Sequence, residues 1–307
     1  MKYLNSFIRA ILAALPAMAI LAMADEVPPG ALEKITQAIP RQNIAKPSQA
    51  RRLLVVSTTH GFRHQSIPTG KLMLAEIERI TGAFTAVIDN DLQHFESDAL
   101  EKFDAVCFLN TTGNIFLPTA KEFESLDESQ KKDAIEREQR LKKNLLRYIR
   151  DGGGFIGIHA ATDTFHEWPE FGEMINGFFD GHPWTAGSKV SIRVEPGKSN
   201  HPLVAMFQNE NLRITEEIYQ FKDPYHSRSV EMLLRIDTEN TPMDVKGINR
   251  KDNDFGVSWI RHWGNGRVFY TSLGHNHEIY WHPMVVQHYL AGIQWALGDL
   301  NIDVAKP

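Results

Sequence analysis

The chain has 307 residues, 42% of them apolar, and a formal net charge of -5 at pH 7. That length allows one large or two smaller domains with a sizeable core, and the mild acidity excludes the basic stripe of a nucleic-acid surface. Cys107 is the only cysteine, which excludes an intrachain disulfide and leaves stability to the core.

Lys2 and Arg9 precede an apolar, alanine-rich run over 11–21, and Ala22-Met23-Ala24 supplies an A-x-A site before Asp25. Residues 1–24 read as a secretory signal peptide, so export, to the periplasm, is expected. The run is short for a membrane span and Pro16 interrupts it; no later stretch is apolar enough to cross a bilayer. Residues 25–50 hold Pro28, Pro29, Pro40 and Pro47 and read as a linker or surface arm with one helical turn near 32–38. A single domain is expected over 51–300.

Within it, 53–57 reads as the first strand, followed by a polar loop with His60 and His64. A helical period over 72–80 is closed by Gly82. Strands follow over 84–88 and 105–109, the latter holding Cys107 as a small buried hydrophobe and ending at the polar tip Asn110-Thr111-Thr112-Gly113. The charged stretch 121–150 carries Leu141, Leu145, Leu146 and Ile149 at helical spacing, which predicts a solvated helix with one buried stripe. Gly152, Gly153 and Gly154 then turn the chain into a compact apolar strand over 155–158. The order β-α-β-β-α-β argues for an α/β fold with a parallel sheet. The stretch 168–179 reads as helical. Beyond it, 190–194, 212–219, 232–236, 257–262 and 267–272 read as short strands, with a hairpin signal at Asn265-Gly266. They predict an antiparallel extension in the C-terminal half. A last amphipathic helix over 284–297 stops at Gly298.

Gly152, Gly154 and Gly157 satisfy the dinucleotide pattern G-x-G-x-x-G, but the helix comes before the glycines and the strand after, the reverse of what that fingerprint needs. No nucleotide cofactor is expected, and no Walker loop or G-x-S-x-G is present. The strand over 155–158 instead ends at His159, followed by Ala160 and Ala161. A small-residue turn at the carboxyl end of a parallel strand presents one side chain to a crevice. His159 is therefore the first candidate for chemistry, with Asp163 next, as an orienting group, a metal ligand or a helix cap. Other histidines gather at the tips: His60, His64, His182, His275, His277 and His282. Imidazoles from separate loops with a carboxylate could hold a catalytic metal. His64 and His282 read rather as surface or capping residues. Glu216 and Glu217 lie in a strand-like run, so one is expected to face inward and one solvent.

Several blocks together resemble the ThuA-like (trehalose-utilisation) family, related in fold to class I glutamine amidotransferases. They are His60-Gly61-Phe62-Arg63-His64, the stretch from Gly152 to Phe165, Gly181-His182-Pro183, Asn200-His201-Pro202-Leu203, Glu216-Glu217-Ile218-Tyr219, and Gly266 to His275. The resemblance implies a three-layer αβα sandwich with a flavodoxin-like, mostly parallel sheet. It also implies carbohydrate metabolism, with keto-sugars supplied by a partner sugar dehydrogenase. Amidotransferases carry a nucleophilic cysteine at the elbow; His159 stands there in this chain, so glutaminase chemistry is excluded.

The expected reaction is proton abstraction beside the carbonyl of a keto-sugar or 3-keto-glycoside, giving isomerisation or elimination. His159 would act as base or metal ligand and Asp163 would orient or ligate. His60, Glu217, Tyr219 and Asn110 would contact substrate. His159, His182 and His275 would hold a divalent metal such as zinc. Two alternatives stand beside this: a non-catalytic periplasmic sugar-binding or accessory domain, and a metal-dependent hydrolase. A homo-oligomer is compatible with each.

Overall fold

Alternation along β1 (Arg52–Val56) sets the layers: Leu53 and Val55 pack on one side of the sheet, Leu54 and Val56 on the other. The computed structural model describes residues 27–304. The expected signal peptide lies outside the described residues. The further strands are β2 (Thr85–Ile88), β3 (Ala105–Leu109), β4 (Gly154–Ile158), β5 (Phe178–Phe179), β6 (Lys189–Val194), β7 (Leu212–Thr215), β8 (Phe221–Lys222), β9 (Glu231–Ile236), β10 (Gly256–Trp263) and β11 (Gly266–Thr271). The main sheet runs β2-β1-β3-β4-β11-β10-β9-β6-β7. From β2 to β11 neighbours are parallel. From β11 to β7 they are antiparallel.

Helices Ile67–Thr81 and Pro283–Ala296 cover one face through Leu72, Ile77, Val286, Tyr289 and Ile293. Helices Glu128–Arg150 and Pro169–Ile175 cover the other through Leu141, Leu145, Ile149 and Phe171. The expected α/β sandwich with its antiparallel extension is the observed architecture. β4 is buried along its whole length between β3 and β11, which explains its unbroken apolar run.

Three local expectations change. The stretch 121–150 is two helices, Ala120–Glu124 and Glu128–Arg150; Asp127 interrupts it because its side chain accepts the Gln130 N–H as an N-cap. The 168–179 run is helical only over Pro169–Ile175. Asn176 adopts the left-handed conformation (φ 70°) and ends the helix, and Phe178 and Phe179 then pair with β8. The strand expected over 212–219 stops at Thr215, so Glu216 and Glu217 escape the alternation that would have put one in solvent; both are buried. In the segment read as an arm, helix Ala31–Ala38 buries Ala31, Ile35 and Ala38 against the core.

Candidate metal centre

The carboxyl edge of the parallel strands collects four side chains from four distant segments. His64 comes from the loop after β1, His159 from the end of β4, Glu217 from the loop after β7, and His275 from the loop after β11. One ligand atom of each lies within 4.8 Å of all the others. His159, His64 and Glu217 are buried at 0%, 3% and 6% exposure, and His275 is half-buried.

His159 sits in a left-handed conformation (φ 50°). A non-glycine residue there is strained, and such strain persists only where surrounding contacts impose it. Two contacts do so: the Tyr270 hydroxyl donates to the His159 carbonyl at 2.8 Å, and the His159 Nδ1 lies 2.7 Å from the Ser272 carbonyl. A carbonyl only accepts, so Nδ1 carries the proton and the neutral ring turns the lone pair of Nε2 toward the cluster. That Nε2 is 3.1 Å from His64 Nε2 and 3.6 Å from Glu217 Oε1.

A buried carboxylate sets His275. Glu216 accepts the backbone N–H groups of Gly274 (2.9 Å), His275 (2.6 Å) and Asn276 (3.1 Å). Burial pushes the Glu216 pKa up to about 8, against the pull of these three donors. The turn needs Gly274: at φ 144° a Cβ would lie 2.9 Å from both the His159 Cβ and the Tyr280 hydroxyl. Held this way, His275 Nδ1 approaches Glu217 Oε1 at 3.0 Å. The approach is off the hydrogen-bond axis, so that nitrogen has no hydrogen-bond partner; nor does the buried His64 Nδ1.

Burial also works to raise the Glu217 pKa, but the close approach of His159 and His275 outweighs it and holds the carboxylate well below its usual range. Burial, helped by the neighbouring imidazoles, depresses His64 to about 2, and burial lowers His159. An anionic Glu217 thus faces the neutral rings of His64 and His159, with the His275 ring beside them. Lone pairs converge with too few protons between them, which is the donor chemistry of a divalent cation site. The described residues fit a metal such as zinc.

The other expected residues fall around this set. His182 lies outside it: its Nδ1 is 3.5 Å from the second Glu217 oxygen and its side chain is 47% exposed, at the mouth. His64, expected at the surface or as a cap, is in the set instead, and no local pattern marks it. His60 turns away, with Nδ1 2.8 Å from the Asn114 carbonyl. Asp163 does not reach the cluster; it bonds His166 Nε2 at 2.7 Å. Tyr219 stacks on His159 with ring centroids 4.3 Å apart and its hydroxyl 3.5 Å from His64 Nε2. Burial, then the Glu217 charge, push its phenol well above the usual range. Asn110 is fully buried, so it braces the site rather than meeting substrate: its amide donates to the Gly274 carbonyl at 3.0 Å. His282 stands at the N-cap position of the last helix, half-buried, but its side chain makes no cap hydrogen bond. Phe62, which the sequence did not single out, is 63% exposed at the rim, its ring 4.8 Å from that of His64.

The family model for ThuA, trehalose utilisation, matches residues 52–296. The chain belongs to the ThuA family. Among solved structures, a ThuA-like protein from Bacteroides uniformis is similar at 20% identity and a TM-score of 0.60, covering 82% of this chain and 94% of that one. One from Parabacteroides merdae is similar at 19% identity and a TM-score of 0.52, covering 85% and 94%. At such identity these two show the shared fold. No curated protein matches the chain. Family membership places this ThuA-family chain in a sugar-related context. Among the described residues no helix is long and apolar enough to cross a membrane.

Proposed function

We propose that this protein acts on keto-sugars or 3-keto-glycosides, removing the proton beside the carbonyl to isomerise the sugar or eliminate its glycosidic substituent. The observation that carries the reading is the convergence of His64, His159, Glu217 and His275 at the carboxyl edge of the sheet, with no serine or cysteine nucleophile among them. A divalent metal held by these four residues would supply Lewis-acid polarisation of the carbonyl.

The protein's own groups do the rest. His159 is fixed by Ser272 and Tyr270 so that its Nε2 faces the reacting centre. Glu217 links the buried set to His182, and His182, half in solvent, is placed to take the proton and pass it out. Tyr219 keeps its proton and donates to a sugar oxygen. Phe62 offers an apolar ring face at the entrance. The alanine-rich leader supports action after export, in the periplasm, on sugars oxidised by a partner dehydrogenase.

The test is turnover of a 3-keto-glycoside in heavy water. An isomerised product is expected to carry deuterium beside the carbonyl, an eliminated one to have lost the proton there with its glycosidic substituent, and His159→Ala to lose about 10²–10⁴-fold. Unchanged turnover in His159→Ala, or a product that keeps its original proton beside the carbonyl, overturns the proposal.

A further inference from the structure

A cleft of about 400 Å³ opens directly beside the cluster, sharing His64 as a wall. Its other walls are Pro28, Arg63, Gln65, Pro68 and His277. Arg63 and Gln65 are exposed, and the Arg63 guanidinium has no acceptor among the described residues. His277 Nδ1 is taken by the Thr69 hydroxyl at 2.7 Å, which leaves Nε2 as the atom free to face a ligand. Among the described residues no carboxylate lines the cleft; Glu278, next to His277 in sequence, is exposed and outside the wall. In a chain with a net charge of -5, these described walls are donors without an acid among them.

We propose that this cleft is an anion subsite, and that the sugar processed at the cluster carries a carboxylate or phosphate group which Arg63 binds. The inference rests on the reading of the cluster as a sugar site and names the chemical class of that sugar. A guanidinium presents paired N–H donors that match the two oxygens of a carboxylate or phosphate, and such charge-assisted pairs are stronger than bonds to neutral hydroxyls. The Gln65 amide and His277 Nε2 complete the donor set. Neutral sugars would leave Arg63 facing water alone.

Equilibrium titration with D-glucuronate, D-glucose 6-phosphate and D-glucose tests this. None has a ring ketone, so binding is read apart from turnover, and a failure of the keto-sugar reaction leaves the result intact. Wild type is expected to bind one acidic sugar about tenfold or more tighter than glucose. The acid preferred tells carboxylate from phosphate. Arg63→Ala should level the affinities, and Arg63→Lys should keep part of the preference. Three things overturn the proposal: equal affinities in wild type, no binding of any of the three, or a preference that survives in Arg63→Ala. The last would mean that the acid is held at the cluster itself.

Discussion

His159 Nε2 lies 3.1 Å from His64 Nε2, two ring nitrogens face to face in the buried floor of the site. One of them has its proton elsewhere, on the Nδ1 that meets Ser272. In the ion-free site this nitrogen accepts the His64 Nε2 proton, and with that proton gone the two lone pairs are placed as ligands of one ion.

The purified protein is therefore expected to hold about one divalent ion per chain. His64→Ala, His159→Ala and His275→Ala should each lose it, while His60→Ala should keep it. Elemental analysis of the four variants beside wild type decides. A metal-free wild type would leave acid–base chemistry by the imidazoles alone.

Gly274→Ala is expected to damage the site from behind. The new methyl would overlap His159 Cβ and the Tyr280 hydroxyl, at a φ that side chains avoid. A loss of roughly 2–6 kcal/mol of stability follows, along with reduced metal retention. Denaturant unfolding and metal content measured together would show both. A variant of wild-type stability would mean that the turn relaxes freely.

His288 predicts an acid limb in the stability profile. It is fully buried, with Nδ1 2.6 Å from the Leu203 carbonyl, and burial holds its pKa at about 4, below the ordinary 6.5. The unfolded chain therefore takes up the proton first. Its contribution is complete above pH 6.5 and falls as pH drops toward 4, where about 3 kcal/mol should be lost. Urea midpoints across this range should slope less steeply in His288→Gln, even though that variant starts lower. An unchanged slope would assign the acid limb to other groups.

Cys107 should be silent toward thiol reagents. It is wholly buried in β3, and burial pushes its thiol pKa up, away from the reactive thiolate. Labelling by a disulfide reagent should proceed only in denaturant. Rapid labelling of the native protein would contradict the packing described for β3.

The sheet was readable because its strands are local signals. β4 announces itself by an apolar run after a glycine turn, and His159 by standing at its end. The site was less readable because its partners are set by contacts far apart in sequence. Nothing local to His64 shows that its ring meets His159. Nothing local to Asn110 shows that the Gly274 loop closes over it and buries it. Glu216 and Glu217 defeat pattern reading in a particular way. The strand ends one residue before them, so both turn inward, one to hold a backbone turn and one to join the cluster.

The order of the strands carries a consequence for when the cluster can form. β11, whose loop delivers His275, lies between β4 and β10, so the last strand made completes the middle of the sheet. The four side chains run from His64 to His275, so the full set converges only once that strand is seated. Any ion held by all four would have to enter a sheet already closed, and its retention would report on the folded state alone.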